Sequence, residues 1–544
     1  MFHPVTNEEI ILTKEQRSCV DYVGDKRKDL VIRSAAGGGK SLVLLERAMR
    51  YLKDAKVNGN RRAIAIFTYN QVLAACLKEW MRLTSSDEAY IMVGTLHEYL
   101  GFVYDRIPKS KWDKLGNPAY LRVKENLLTE TLNEYAERIG NDKYKRWGTR
   151  FWSEEFSWMR TMNIFYREDS DRYFPLKREG RGHTHHMDQI DRRAAFEMFC
   201  LLREKLKAKK CYDDDPKSDE RILYLTHNDT LIPDALKFDH VLIDEAQDQS
   251  LAKMIALRNL ARQDLTICMD VNQRIYEGRW KFKDADLNVQ SKILSYPFRC
   301  TGQIDALAES LKEKNQAVIP DEERVKHVAP TAVGEKPEVV CCKNEEEERR
   351  YVIALVKKWM QDDPLHTIGI MCYKNKAVEK VAGWLSQEHI EFQFIRLGKD
   401  EKYNKVFDFS IRKPGVKLCT MHTAKGLEFM RVILPQFYQG MVPQSWACSD
   451  EEEMMRQRSI AYVGMTRAMH QLSIVYNGRK SQFINEMDPA LYTARTFEEA
   501  VKTELKQPTP MYRKRVLPVE DSPVKPREQE AKQKAESRRK RWSF

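Results

Sequence analysis

The chain has 544 residues, 42% apolar and 10% aromatic, enough to bury several cores; this excludes a small binding module, and roughly three or four domains are expected. No run of about 18 apolar residues occurs, and Met1-Phe-His-Pro4 does not open onto a basic and then apolar segment, so neither a membrane span nor a secretory signal is expected. The net charge of +12 suits a polyanionic partner, and eleven scattered cysteines without a CxxC pair suit reduced thiols in a cytoplasmic protein.

In chain order, Leu30-Val-Ile-Arg-Ser34 predicts a buried parallel strand, followed by the turn Ser34-Ala35-Ala36-Gly37-Gly38-Gly39-Lys40-Ser41 and a helix over Ser41 to Leu52. Ala63 to Tyr69 predicts the next strand, and the apolar runs at Val241 to Ile243 and Leu265 to Met269 extend a doubly wound α/β sheet. From about Leu100 to Lys217 the periodicity becomes helical, with Trp112, Trp147, Trp152 and Trp158 among many basic residues, as in an inserted subdomain. His183, His185 and His186 lack acidic or cysteine partners at metal-ligand spacing and are expected in a solvated loop. Beyond Ser295 a second alternating series begins, with strands expected at Pro337 to Cys341, Thr367 to Cys372, Val416 to Thr420, Arg431 to Leu434 and Gln471 to Val475.

The expected organisation is a first core over 1–99 and 218–295, a helical insertion over 100–217, a second core over 296–502 and a tail over 503–544. The tail holds twelve Lys and Arg against six Asp and Glu, half the net charge, and ends in Arg538-Arg-Lys-Arg541. It is predicted to be disordered and basic, either holding nucleic acid without sequence preference or simply solvated.

Two segments carry phosphate chemistry. In the first, backbone N–H groups of Ser34 to Ser41 can wrap a triphosphate, Lys40 can reach its terminal phosphates, and the Ser41 hydroxyl can ligate magnesium. Serine at 34 replaces the glycine of the usual pattern, so a plain glycine-rich turn is the alternative. In the second, Asp244 ends an apolar strand where a carboxylate completes a magnesium shell, and Glu245 is placed to polarise an attacking water.

Further segments stand in order around these: Leu12-Thr-Lys-Glu-Gln16, Phe67-Thr-Tyr-Asn70, Gly94-Thr-Leu-His97, Asp270-Val-Asn-Gln-Arg-Ile-Tyr276, Tyr296-Pro-Phe-Arg299, Thr420-Met-His-Thr-Ala-Lys-Gly-Leu-Glu-Phe429 and Ala461-Tyr-Val-Gly-Met-Thr-Arg-Ala468. With them the chain resembles the UvrD/Rep family of superfamily 1 DNA helicases. The resemblance implies two RecA-like cores with ATP between them. It places Gln16 on the adenine edge, Phe298 on the adenine face and Glu428 near the ribose. Gln273, Arg299 and Arg467 join Glu245 around the γ-phosphate. Strand contacts fall to Phe67, Thr68, Asn70, Thr95, His97, Arg279, Thr420 and His422. Taken singly, Arg299 and Arg467 could instead be surface ion-pair residues and Phe67 a core aromatic.

The resemblance further implies an ATP- and magnesium-dependent DNA helicase of 3′ to 5′ polarity acting on single-stranded and tailed duplex DNA. The alternatives are a strand-stimulated translocase that remodels nucleoprotein complexes or serves a partner nuclease without opening duplex, use of RNA, and a scaffold retaining an inactive nucleotide fold. Four departures stand out. Met269 replaces the usual glycine before Asp270, and Leu42 replaces a frequent adenine-stacking arginine. Gly278 occupies the place of a stacking tryptophan, leaving Trp280 either to substitute or to pack. The roughly 120 residues between Arg299 and Thr420 leave no room for the large second-core insertion, which resembles a compact subset of the family.

Overall fold

Strand β1 (Asp29–Ser34) sends Leu30 and Ile32 to one buried cluster and Val31 to another on its opposite face. In β2 (Ile64–Thr68), Ile64 and Ile66 join the first of these, Ala65 and Phe67 the second. Covered on both faces, such strands need apolar residues at every position, and hence their continuous apolar runs. The computed structural model describes residues 9–23, 29–34, 37–57, 63–69, 71–82, 91–107, 115–178, 186–215, 218–270, 280–318, 328–395, 410 and 413–503.

The remaining strands are β3 (Ile91–Thr95), β4 (Asn117–Pro118), β5 (Cys211–Tyr212), β6 (Phe238–Ile243), β7 (Ala261–Met269) and β8 (Val289–Leu294) in the first part of the chain. The second part supplies β9 (Glu338–Cys342), β10 (Thr367–Cys372), β11 (Phe392–Phe394), β12 (Gly415–Thr420), β13 (Phe429–Leu434), β14 (Ala468–Asn477) and β15 (Thr493–Thr496). They form two large parallel sheets, ordered β3-β2-β6-β7-β1-β8 and β11-β12-β10-β13-β14-β9-β15, with helices on both faces, while β4 and β5 pair with each other in a separate two-stranded sheet. This is the expected pair of RecA-like α/β cores. The segment after β8 carries the chain from the first to the second, where helix Gly302–Lys312 packs Ile304, Leu307 and Leu311 into the second core.

Helices Leu121–Ile139, Gly148–Thr161 and Gln189–Ala208 make up most of the insertion. Their Trp152, Phe156 and Phe199 belong to the same buried cluster as Val241 and Ile267 of the first sheet, so the insertion extends that core. Arg160 Nη2 reaches Asp213 at 2.7 Å, and Lys124 Nζ reaches Asp213 at 2.8 Å and Asp214 at 2.7 Å, which ties the helices to the returning chain. The insertion's tryptophans serve its core: Trp152 and Trp158 are buried, and Trp147 stacks on Trp152 with centroids 5.4 Å apart. Trp112, His183, His185 and the basic tail lie outside the described residues. No described helix is long and apolar enough to cross a membrane, and all eleven cysteines are unbridged.

Candidate functional site

The carboxyl ends of three neighbouring strands converge. β6, β7 and β1 are consecutive in the first sheet, so Asp244, Asp270 and Ser34 fall along one edge, where open parallel sheets bind ligands. Lys40 opens helix Lys40–Val57, with Nζ 3.4 Å from the Ser34 carbonyl oxygen and 3.5 Å from Asp270 Oδ2. Ser41 Oγ donates to Asp244 Oδ2 at 2.6 Å. Gly37 and Gly39 have φ of +78° and +84°; a Cβ on Gly37 would stand 2.6 Å from Arg299 Cβ, and one on Gly39 would stand 2.5 Å from Gln16 Nε2. Backbone conformation and close approach therefore both demand glycine there. Gln16, held in a capping box with Thr13, donates from Nε2 to the Gly38 carbonyl at 3.2 Å. Ala35 and Ala36 lie outside the described residues.

The two acids are driven apart electrostatically. Burial, with Glu245 beside it, pushes the Asp244 carboxyl up to about 6 against the Ser41 hydrogen bond and the charge of Lys40. Burial acts on Glu245 in the same sense, but Lys425, Lys40 and Arg467 outweigh it and hold that carboxyl below its ordinary value. Glu245 also takes a left-handed backbone, φ 53°, uncommon outside glycine and costing on the order of 1 kcal/mol or more. Ser41 and Asp244 offer adjacent hard oxygen donors, the set magnesium takes alongside phosphate and water.

The opposite wall comes from the second core and the crossing segment. Phe298 N–H donates to the Gly37 carbonyl at 2.8 Å, which seats Phe298 and Arg299 against the glycine turn. Arg299 Nε lies 3.6 Å from Glu428 Oε1. Arg467, just ahead of β14, is fully buried and donates from Nε and Nη1 to the carbonyls of Val463 and Leu427 at 2.9 and 3.2 Å. Burial, then the charge of Arg299, lowers its pKa to about 9, opposed by Glu245 and Glu428; it stays cationic at neutral pH. Neither arginine is a surface ion-pair residue. Lys425 carries no role in the sequence reading, yet it crosses the cleft, paired with Asp248 and 3.6 Å from Glu245 Oε2. Gln273 lies outside the described residues.

A family model of the UvrD/REP helicase N-terminal domain matches residues 12–294, which is 283 of the 544 residues. The chain belongs to the UvrD/REP helicase family. A model of the UvrD-like helicase C-terminal domain matches residues 403–479. An ATP-dependent DNA helicase PcrA of Leuconostoc citreum is 39% identical over 106 residues, covering 18% of this chain and 14% of that protein. DNA helicase II of Escherichia coli is 34% identical over 89 residues, 16% of this chain and 12% of that protein. PcrA of Bacillus subtilis is 45% identical over 60 residues, 11% and 8% respectively. The matched stretches thus span a small part of these relatives' own lengths.

The residues aligned with the UvrD/REP family's strand-contact motifs divide by burial. Phe67 is a correction: it is fully buried against Tyr99 and Phe238, centroids 5.5 and 5.9 Å away, because β2 is covered on both faces. Thr68 is buried at the end of the same strand. Thr95 caps helix Leu96–Arg106, accepting from the Glu98 N–H at 3.4 Å, and Thr420 accepts from the Thr423 N–H at 3.2 Å in the turn after β12. His97 and His422 are half-buried; His97 Nδ1 lies 3.6 Å from Asp219, while His422 meets the Tyr373 ring at 5.3 Å. Burial and then Arg456, against Glu453, lower His422 to about 4, so it is neutral at physiological pH. Trp280 packs, with Nε1 donating to the Gln249 carbonyl at 2.7 Å. Asn70 and Arg279 lie outside the described residues.

Proposed function

We propose that the protein is an ATP- and magnesium-dependent DNA helicase that moves 3′ to 5′ along single-stranded DNA, with ATP held between its two cores. One observation carries the reading: Glu245 of the first core lies in a positive field supplied by Lys40 of its own core and by Lys425 and Arg467 of the other. Phosphoryl transfer needs positioning and charge neutralisation, so a site whose cations come from facing cores works fully only when they meet. Ser41 and Asp244 would hold magnesium, which neutralises phosphate charge when bound; Lys40 and Arg299 would hold the terminal phosphates, Phe298 and Gln16 the base, and Glu428 the ribose. Glu245, kept ionised, would orient the attacking water. Gln273 remains assigned to γ-phosphate sensing, and Asn70, Thr95, His97, Arg279, Thr420 and His422 to the strand, by family resemblance. Opening after hydrolysis and closing on fresh ATP would then shift the grip along the backbone.

Strand displacement on duplexes with a 3′ or a 5′ single-stranded tail tests this. Unwinding from the 3′ tail alone is expected. Unwinding from the 5′ tail alone contradicts the polarity, and strand-stimulated ATP turnover without displacement on either substrate replaces the helicase with a translocase.

A further inference from the structure

We propose that Trp446, in the loop between β13 and helix Glu451–Met465, is a stacking platform for a base of a single strand passing over the second core. The inference rests on the helicase reading and adds a binding position to it. Trp446 is 56% exposed, and it is the one exposed tryptophan among the described residues. A singly exposed apolar side chain is ordinary, so the assignment rests on how this ring is held and on what surrounds it.

The ring is held rather than loose. Its Nε1 donates to Gln444 Oε1 at 2.9 Å, and the Gln444 N–H donates to Gln457 Oε1 at 2.8 Å on the following helix. The polar edge of the indole is thereby engaged within the loop while more than half of the residue stays exposed. A fixed aromatic face binds any base at little ordering cost, without reading sequence.

Its surroundings point to a nucleic-acid strand. The Gln444 side chain lies near the Tyr373 hydroxyl, and the Tyr373 ring meets His422 with centroids 5.3 Å apart. Trp446 is therefore two side chains removed from His422, on the surface where the second core is assigned to the strand. Arg456, near enough to influence both Tyr373 and His422, supplies positive charge beside this path, anchored by two contacts to Glu453. An aromatic face, a neutral imidazole and an anchored cation in sequence suit stacking on bases with phosphates alongside.

Fluorescence anisotropy of the full chain with a labelled oligothymidylate of about 20 nucleotides, and with an abasic strand of equal length at the same salt, tests the assignment. Trp446→Ala should weaken oligothymidylate binding about ten- to a hundredfold and Trp446→Phe much less, with abasic binding and strand-free ATP turnover unchanged in both. Wild-type affinity of Trp446→Ala for oligothymidylate overturns the platform, as does equal weakening on both strands. Failure of the wild type to bind either strand removes the helicase reading and this inference with it.

Discussion

At the scale of single residues, charge decides what the site can do. Asp244 carries its proton up to about pH 6, and magnesium needs the carboxylate, so protons compete with metal below that value and cease to compete above it. The magnesium concentration giving half-maximal ATP turnover should rise as pH falls through about 6 and be flat above about 7; a flat profile across the range would remove Asp244 as a ligand. Lys425 presents the opposite case, a cation buried against two acids. Lys425→Ala should cost about a hundredfold or more in kcat while nucleotide still binds, and should move the acid limb of the pH profile upward because Glu245 loses the first of the charges holding it down. An unchanged acid limb would separate Lys425 from Glu245. Lys40 and Ser41 were legible in the sequence because a phosphate turn is local, strand, small residues and cation following one another, and Asp244 because it ends an apolar strand. Lys425 and Asp248 were not, since 177 residues separate the partners and no spacing announces them. Phe67 misled because a motif position says nothing of which face of a doubly covered strand a side chain takes.

Elements show where periodicity carries information. The strands at β1, β2, β6, β7, β10, β12, β13 and β14 were readable as apolar runs because the interior of a parallel sheet is covered on both faces. β8, β11 and β15 were not: they lie at sheet margins with partly exposed side chains, and β11 has three residues. The helical insertion was legible from its period, but not that its aromatics extend the first core, a long-range packing fact that periodicity does not carry. The turn after β12 shows one element serving two tasks. It presents Lys425 to the acids, and it brings Gly426, φ +83°, so near helix Gln71–Arg82 that an added Cβ would stand 2.8 Å from Leu73 Cδ2. Gly426→Ala should raise the KM for ATP by about tenfold through a strained turn and a pushed-back first core, with a stability loss of only about 1–2 kcal/mol in thermal melts. An unaltered KM would show that this contact does not set how the cores meet.

For the whole molecule, buried ion pairs join the carboxyl-end edge of the first sheet to the turn after β12 of the second. Lys425 of the second core meets Asp248 and Glu245 of the first, and the charge of Arg467 acts on Glu245 as well. Buried ions of this kind are costly to separate singly and are most useful where a bound polyanion can exchange partners with them. The expected two-core architecture therefore emerges with its chemistry in the gap. The most direct measurement is steady-state ATP hydrolysis by Arg299→Ala beside the wild type, with and without single-stranded DNA, together with binding of a fluorescent ATP analogue. The account predicts that the variant still binds the analogue within a fewfold of wild type but loses about a hundredfold or more in kcat that DNA does not restore. Wild-type turnover by Arg299→Ala would contradict it.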